Sequence, residues 1–414
     1  MLPEEWRLKT IGEVADVKGG KRLPKGYQLT DENTGFPYIR VTDMFDGGVD
    51  VSSIKYVPEE IAPKISRYRI GKDDIFITVA GTLGLIGEIP EELDGANLTE
   101  NADKLTNLKC NKRFLLEVLR SPIVQKPIDA EKTQNAQPKL ALTRIKEFLV
   151  PVPPLPEQKK IAQILSTWDQ AITATERLLE NSQQRKKGLM QQLLTGKKRL
   201  PGFEGQWEEL PLLKLADYVK GYTYKSNEYS EVPTDTGFLT LKSLLRGGGY
   251  SKEGLKYLKT EIDDKFLVKE GDIVFAVTDI TRNAEIVGAP LLVPDLRLPQ
   301  VAISMDMVKL VVKQGVVPKF LYYALKRSPA RNFMRSRASG STVLHLDVRG
   351  SKKLRLPIPK DTREQEAISE VLTIADQEIE ALSQRLVWLK HEKKALMQQL
   401  LTGKRRVNVE TEAA

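Results

Sequence analysis

Apolar positions along this chain follow two different rhythms. At Ile161, Leu165, Trp168, Ile172, Thr175, Leu179, Ser182, Lys186, Leu189 and Leu193 the spacing steps by fours and threes. The same stepping returns at Ile368, Leu372, Ala375, Ile379, Leu382, Leu386, Leu389, Lys393, Leu396 and Leu400. A stripe of this kind, held for about five heptads, predicts a long helix with a coiled-coil seam. The two seam lysines, Lys186 and Lys393, stand at matching positions, where a polar residue costs stability but can set register. Proline-rich stretches, "PVPPLPEQ" at 151–158 and "LPIPKDTREQ" at 356–365, precede the stripes, and Gly196 and Gly403 follow them. Proline suits a first turn and glycine suits a C-terminal cap, so helices are expected over 157–196 and 364–403. Glu157 and Glu364 would then face the positive end of the helix dipole. Each helix would extend roughly 57 Å at 1.5 Å per residue. Elsewhere the rhythm is short. Runs such as Ile75–Val79 and Ile273–Val277 read as strands between Gly/Asp turns, and "KRFLLEVLRS" and "PKFLYYALKRS" read as short amphipathic helices.

The second stripe is a copy of the first. With an offset of 207, residues 157–199 and 364–406 share 21 identities over 43 positions without a gap, among them the whole of "LMQQLLTGK". The segments before each helix look like diverged copies too. Trp6 and Trp207 open them, "ADVKGG" resembles "ADYVKGY", and "KDDIFITVAGT" resembles "EGDIVFAVTDIT". An internal duplication orders the chain as globular domain 1–156, long helix 157–196, globular domain 203–363, long helix 364–403 and a tail 404–414. The fold class is α+β: two mixed α/β globular domains and two long helices, pseudo-two-fold by duplication.

Composition narrows the chemistry. The 414 residues carry a net charge of +9. The charge is spread, at −1 over 1–156, +5 over 157–199, +7 over 200–363, 0 over 364–406 and −2 over 407–414. Any polyanion site must therefore be assembled by folding. Cys110 is the one cysteine, so no internal disulfide forms, as suits a reducing compartment. It reads as a small buried hydrophobe. The N-terminus "MLPEEWRLKTIGEV" lacks the basic-then-apolar order of a secretory signal, and no apolar run reaches the length of a membrane span. A cytoplasmic location is expected. Two histidines, His345 and His391, with one cysteine give no usual zinc set, and no phosphate-binding loop is present. Asp16-Val17-Lys18 is an isolated D-x-K without a further strand-borne carboxylate. Catalytic and metal residues are expected to be absent.

At this point "PVPPLPEQKKIAQIL", "LMQQLLTGK" and the order domain, helix, domain, helix resemble the specificity (S) subunit of type I restriction–modification systems over essentially the whole chain. The second helix start, "LPIPKDTREQEAISEVL", departs by lacking the Pro-Leu-x-Glu-Gln run but keeps Glu364-Gln365. The resemblance implies that each globular domain is a target recognition domain reading one half of a split double-stranded DNA sequence. It implies that the helices pair antiparallel as a spacer and dock two modification (methyltransferase) subunits, to which restriction subunits join. The S subunit itself catalyses nothing and carries no cofactor; S-adenosylmethionine, ATP and magnesium belong to its partners. Half-sites read on one face of the duplex would lie around one helical turn, roughly 34 Å, apart. The competing readings are a coiled-coil scaffold joining two protein-binding domains, and an enzyme with two divergent carboxylate sites.

Base edges call for Arg, Lys, Asn or Gln, and phosphates for Lys, Arg, Ser, Thr and backbone amides. The first domain offers Lys18, Lys21, Arg22, Tyr38, Arg40, Thr42, Arg67 and Arg69, then Gln134, Asn135 and Gln137 in a polar turn. The second offers Lys220, Tyr222, Tyr224, Lys225, Thr278, Arg282, Asn283, Arg331, Arg335, Arg337, Ser341, Thr342 and His345. Arg327, Arg331, Arg335 and Arg337, near helical spacing, are expected to form one basic patch.

Overall fold

The computed structural model describes residues 2–132, 139–281 and 283–409. The chain divides into two compact units, Met1–Glu176 with Gln384–Ala414, and Arg177–Ser383. The first long helix runs Leu155–Leu193 and the second Thr362–Leu400. Each starts two residues and stops three residues ahead of the range expected from the sequence. Pro156 sits in the first turn, where a missing N–H costs nothing. Past Leu193 and Leu400 a turn leads to Gly196 and Gly403, whose φ angles of 69° and 72° are open to glycine.

In the first unit Arg7–Thr10 pairs antiparallel with Leu149–Val152, just before the long helix. The central sheet has the antiparallel order Asp16–Gly19, Ala102–Thr106, Ile75–Thr78, Ile86–Glu88. A second sheet has the order Lys55–Tyr56, Pro37–Ile39, Ala96–Leu98, Arg69–Ile70, with its two middle strands parallel. The second unit repeats this plan. Trp207–Pro211 pairs with Arg355–Pro359, and the central order is Ala216–Lys220, Met307–Val312, Ile273–Ala276, Pro290–Leu292. Its second sheet places Leu255–Leu258, Thr236–Leu239 and Gln300–Ile303 as the first unit places Lys55–Tyr56, Pro37–Ile39 and Ala96–Leu98. The second unit adds a third, three-stranded sheet of Thr278–Asp279, Leu344–Leu346 and Ala338–Ser339.

The runs Ile75–Thr78 and Ile273–Ala276 are buried throughout because both sheet faces are covered. Side chains alternate between faces. Ile75 and Ile77 enter one core with Phe114, Leu115 and Val118, while Phe76 enters another with Ile39 and Leu98. Ile273 and Phe275 divide from Val274 and Ala276 in the same way. Cys110 packs beside the first of these cores, and burial pushes its thiol up to about 11. Every apolar seam position of both helices is buried or half-buried. Among the described residues no helix is long and apolar enough to cross a membrane.

Gly188 lies deep in the first long helix, with open space where a Cβ would project. Gly188→Ala should stabilise the second unit by about 0.5–1 kcal/mol, because alanine surrenders less backbone freedom in a helix. A raised midpoint in urea unfolding checks this.

Candidate nucleic-acid interface and its helical support

The repeated Glu-Gln pair anchors each helix start. In the first unit Glu157 is buried and accepts from Arg406 Nε at 2.9 Å, from Arg406 Nη2 and from Trp6 Nε1 at 3.3 Å. In the second unit Glu364 is buried and accepts from Arg199 Nε and Nη2 at 2.6 and 2.7 Å. Gln158 donates to the Pro153 carbonyl at 2.8 Å and accepts from the Asn111 amide at 2.7 Å. Gln365 donates to Pro359 at 2.8 Å and accepts from the Val317 amide at 2.7 Å. The duplicated residues thus join the start of one helix to the end of the other. They also join each helix start to the short helix of its own globular part, Lys112–Arg120 or Pro318–Lys326.

The seam lysines are paired too. In the first unit Lys393 Nζ lies 2.7 Å from Asp169 Oδ1 and 3.0 Å from Glu117 Oε2. Arg113 holds the other Asp169 oxygen at 2.9 Å. In the second unit Lys186 bonds Asp376, whose other oxygen accepts from Tyr323 Oη at 2.8 Å. These contacts make the helix segments antiparallel within each unit: Asp169 and Glu176 meet Lys393 and Lys390, and Ser182 and Arg199 meet Glu378 and Glu364. Asp169 and Asp376 are identical in the two copies, but nothing local in the sequence marks them as partners of the lysines.

In the first unit the candidate contacts gather beside the second sheet. Lys21 Nζ lies 5.9 Å and the Arg67 guanidinium 5.4 Å from the Tyr68 ring, and Arg69 stacks over Phe36 at 5.4 Å. Arg22 is exposed and pairs with Glu100 at 2.8 Å. Lys18, on Asp16–Gly19, and Thr42 are exposed. Two candidates serve the interior instead. Tyr38 is buried, its hydroxyl donates to the Lys21 carbonyl at 3.0 Å, and burial pushes it up to about 12. Arg40 grips Asp43 through Nε and Nη2 at 2.9 and 2.6 Å and donates to the Ser53 carbonyl. Gln134, Asn135 and Gln137 lie outside the described residues, as does Arg282.

In the second unit Tyr222 donates to Glu228 at 3.0 Å, and Tyr224 packs on Tyr229 and Phe238 at centroid distances of 4.9 and 5.3 Å. Lys220 and Lys225 are exposed beside them. The expected four-arginine patch does not form as one surface. Arg331 is buried and donates to the carbonyls of Val287 and Glu285 at 2.8 and 3.1 Å. Burial, with the charge of Arg335 nearby, pushes it down to about 10. Helical spacing placed it on the inner face, where carbonyls from a distant loop replace solvent. Thr278 is also buried and donates to Asp306 at 3.0 Å. Arg335 and Arg337 remain exposed. The third sheet unites separate stretches of sequence: Thr278 is the register partner of His345, and His345 also faces Ser339. Exposed His345, and exposed Ser341 and Thr342 just before its strand, therefore lie on the side of the sheet where Thr278–Asp279 enters.

The comparisons with known proteins agree with one another. Residues 3–181 and 204–391 match the family described as the type I restriction modification DNA specificity domain. The chain is 25% identical to the putative type I restriction enzyme MjaX specificity subunit of Methanocaldococcus jannaschii, over 98% of this chain and 95% of that one. It is 25% identical to the MjaVIII specificity subunit of the same organism, over 98% and 94%. The solved type I restriction–modification S subunit from M. genitalium has a similar fold, with a TM-score of 0.61 at 19% identity and 96% of each chain covered. With both copies of its duplication matched, the chain belongs to the type I restriction–modification specificity subunit family, the DNA-recognition and non-catalytic component of such systems.

Proposed function

We propose that this chain reads a two-part double-stranded DNA target, one half-site per unit, and docks two methyltransferase subunits along its long helices. Restriction subunits join that assembly. S-adenosylmethionine, ATP and magnesium act on the partner subunits, and the complex works in the cytoplasm. The observation that carries the reading is the doubled plan. Each unit holds one globular part with basic and aromatic groups at its surface, bonded to its own antiparallel helix segments through Gln158 or Gln365 and through the Arg113–Asp169 or Tyr323–Asp376 bond. A phosphate contact would give affinity without sequence information, and side chains at base edges would give selectivity. The helices would act as the spacer between half-sites.

The test is co-expression with a type I methyltransferase subunit from the same genome, followed by methylome sequencing of the host. The expected result is one methylated motif of two short defined parts separated by an undefined gap. Inserting about four residues within 157–194 should change the gap and neither part, since about one helical turn is added. A single uninterrupted motif, or a gap unmoved by the insertion, would count against the proposal.

A further inference from the structure

The hairpin closing the central sheet differs between the units. In the first, Ile77 pairs with Ile86 across the eight residues 78–85; in the second, Phe275 pairs with Pro290 across the fourteen residues 276–289. The six extra residues are held from both sides by opposite charges. Asp279, fully buried, accepts from the backbone amides of Thr281, Ile286 and Val287 at 2.6, 2.6 and 2.7 Å. Arg331 donates to the carbonyls of Val287 and Glu285, and Arg335 Nε to the carbonyl of Ala284 at 3.1 Å. Three loop amides and three loop carbonyls thus find charged partners, the stronger class of hydrogen bond. Ala284 is kept at φ 51°, a backbone conformation that side chains rarely adopt. Gly288 packs so tightly that an added Cβ would lie 2.5 Å from Met334 Cβ. The two flanks of the loop, at 279–281 and 284–288, are thus held in place and have little freedom left to lose on binding.

At the tip of the loop Ile280 is 66% exposed and Asn283 is exposed. Ile280 thus presents a branched apolar side chain to solvent. Beside it, a carboxamide offers a donor and an acceptor on one plane. In the major groove these two chemistries match one base pair: the thymine methyl takes apolar contact, while adenine N6 donates to the carboxamide oxygen and adenine N7 accepts from its NH2. We infer that the 278–288 loop is the base-reading element of the second unit. Ile280 and Asn283 determine specificity for an A·T pair, and Asp279 and Arg331 are positioning residues behind them. This assignment rests on the DNA reading proposed above.

The complex of the full chain with its methyltransferase is used to select duplexes from a random pool. Asn283→Ala and Ile280→Ala, both at exposed positions, should each relax an A·T position in one half-site and leave the other half unchanged. Affinity for the parent site should fall about ten- to hundredfold. Asp279→Asn and Arg331→Met should blur several adjacent positions of that same half-site. A merely structural role would lower binding without altering base preference. If both tip variants keep every preference, or if the change falls in the other half-site, the loop assignment is overturned while the functional reading stands. If the unaltered chain selects no two-part sequence, both fail.

Discussion

Lys393→Met is expected to destabilise the first unit by about 3–5 kcal/mol, the cost of leaving a buried charge without its partner. The ammonium lies between two carboxylates, and the Glu117 side chain has no exposure at all. Among the described residues neither Glu117 oxygen accepts a hydrogen bond of good geometry, so the charges of Lys393, Arg113 at 3.4 Å and Arg120 at 4.0 Å offset its burial. Removing Lys393 leaves buried Glu117 subject to the like charge of Asp169 without the ammonium between them. Hydrogen exchange during urea unfolding, read unit by unit, measures the loss. The matching Lys186→Met should cost less, because Asp376 is 39% exposed and Tyr323 stands where the first unit has Glu117. Glu117→Gln should lie within about 1 kcal/mol of the parent chain and restore most of the loss in the Lys393→Met background. An equal loss at Lys186 and Lys393, or no rescue, would contradict this account.

The same site sets a pH dependence. Burial raises the Glu117 carboxyl, and the Asp169 charge raises it further, against the pull of Lys393. The folded chain therefore holds this proton more tightly than the unfolded chain. That contribution is present below the ordinary carboxylate value and is lost as pH rises through the raised one. Without Lys393 the rise is larger, so the variant's deficit should shrink on acidification toward about pH 5. In the parent chain, burial opposes ionisation of Asp169, but the bond to Lys393 and the charges of Lys393, Arg113 and Arg120 hold its carboxyl below the ordinary value. In Lys393→Met the Lys393 contributions are gone, so protonation of Asp169 adds to the same recovery on acidification.

Gly20→Ala and Gly221→Ala should each cost about 3 kcal/mol, the upper range for forcing extra volume into a packed site. A Cβ on Gly20 would lie 2.0 Å from the Thr99 carbonyl oxygen, and one on Gly221 would lie 2.1 Å from that of Ser304. Neither neighbour is a side chain that can swing away. At both points the chain leaves the central sheet for the second one. Gly20 N bonds Ala102 O at 3.0 Å and Lys21 N bonds Leu98 O at 2.8 Å. Gly221 N and Tyr222 N repeat those bonds to Met307 O and Ile303 O at 3.0 and 2.8 Å. Gly205, with open space around it, is the control, and Gly205→Ala should change stability by less than about 0.5 kcal/mol. Thermal unfolding of the whole chain reads all three.

Much of this protein was legible from its letters. The four-and-three stepping of Ile161 to Leu193 and of Ile368 to Leu400, the duplication at an offset of 207, and the apolar runs at Ile75 and Ile273 are local or self-comparing signals. A helix or strand repeats its own period, and a copied segment keeps its residues, so both survive without knowledge of the rest. The likeness of "ADVKGG" to "ADYVKGY" marked the two glycines, though not the carbonyls against them. What only the tertiary structure decided is which polar groups face water. Arg331 shares a helix pattern with exposed Arg335, yet it is covered by a loop 44 residues away. Glu117 reads as an ordinary surface charge on an amphipathic helix until Lys393 folds onto it. Thr278 and His345 become neighbours through a strand pairing that neither stretch encodes alone. Whether a polar side chain binds solvent, a carbonyl or an opposite charge depends on atoms brought from far along the chain. Period and composition carry no record of that encounter.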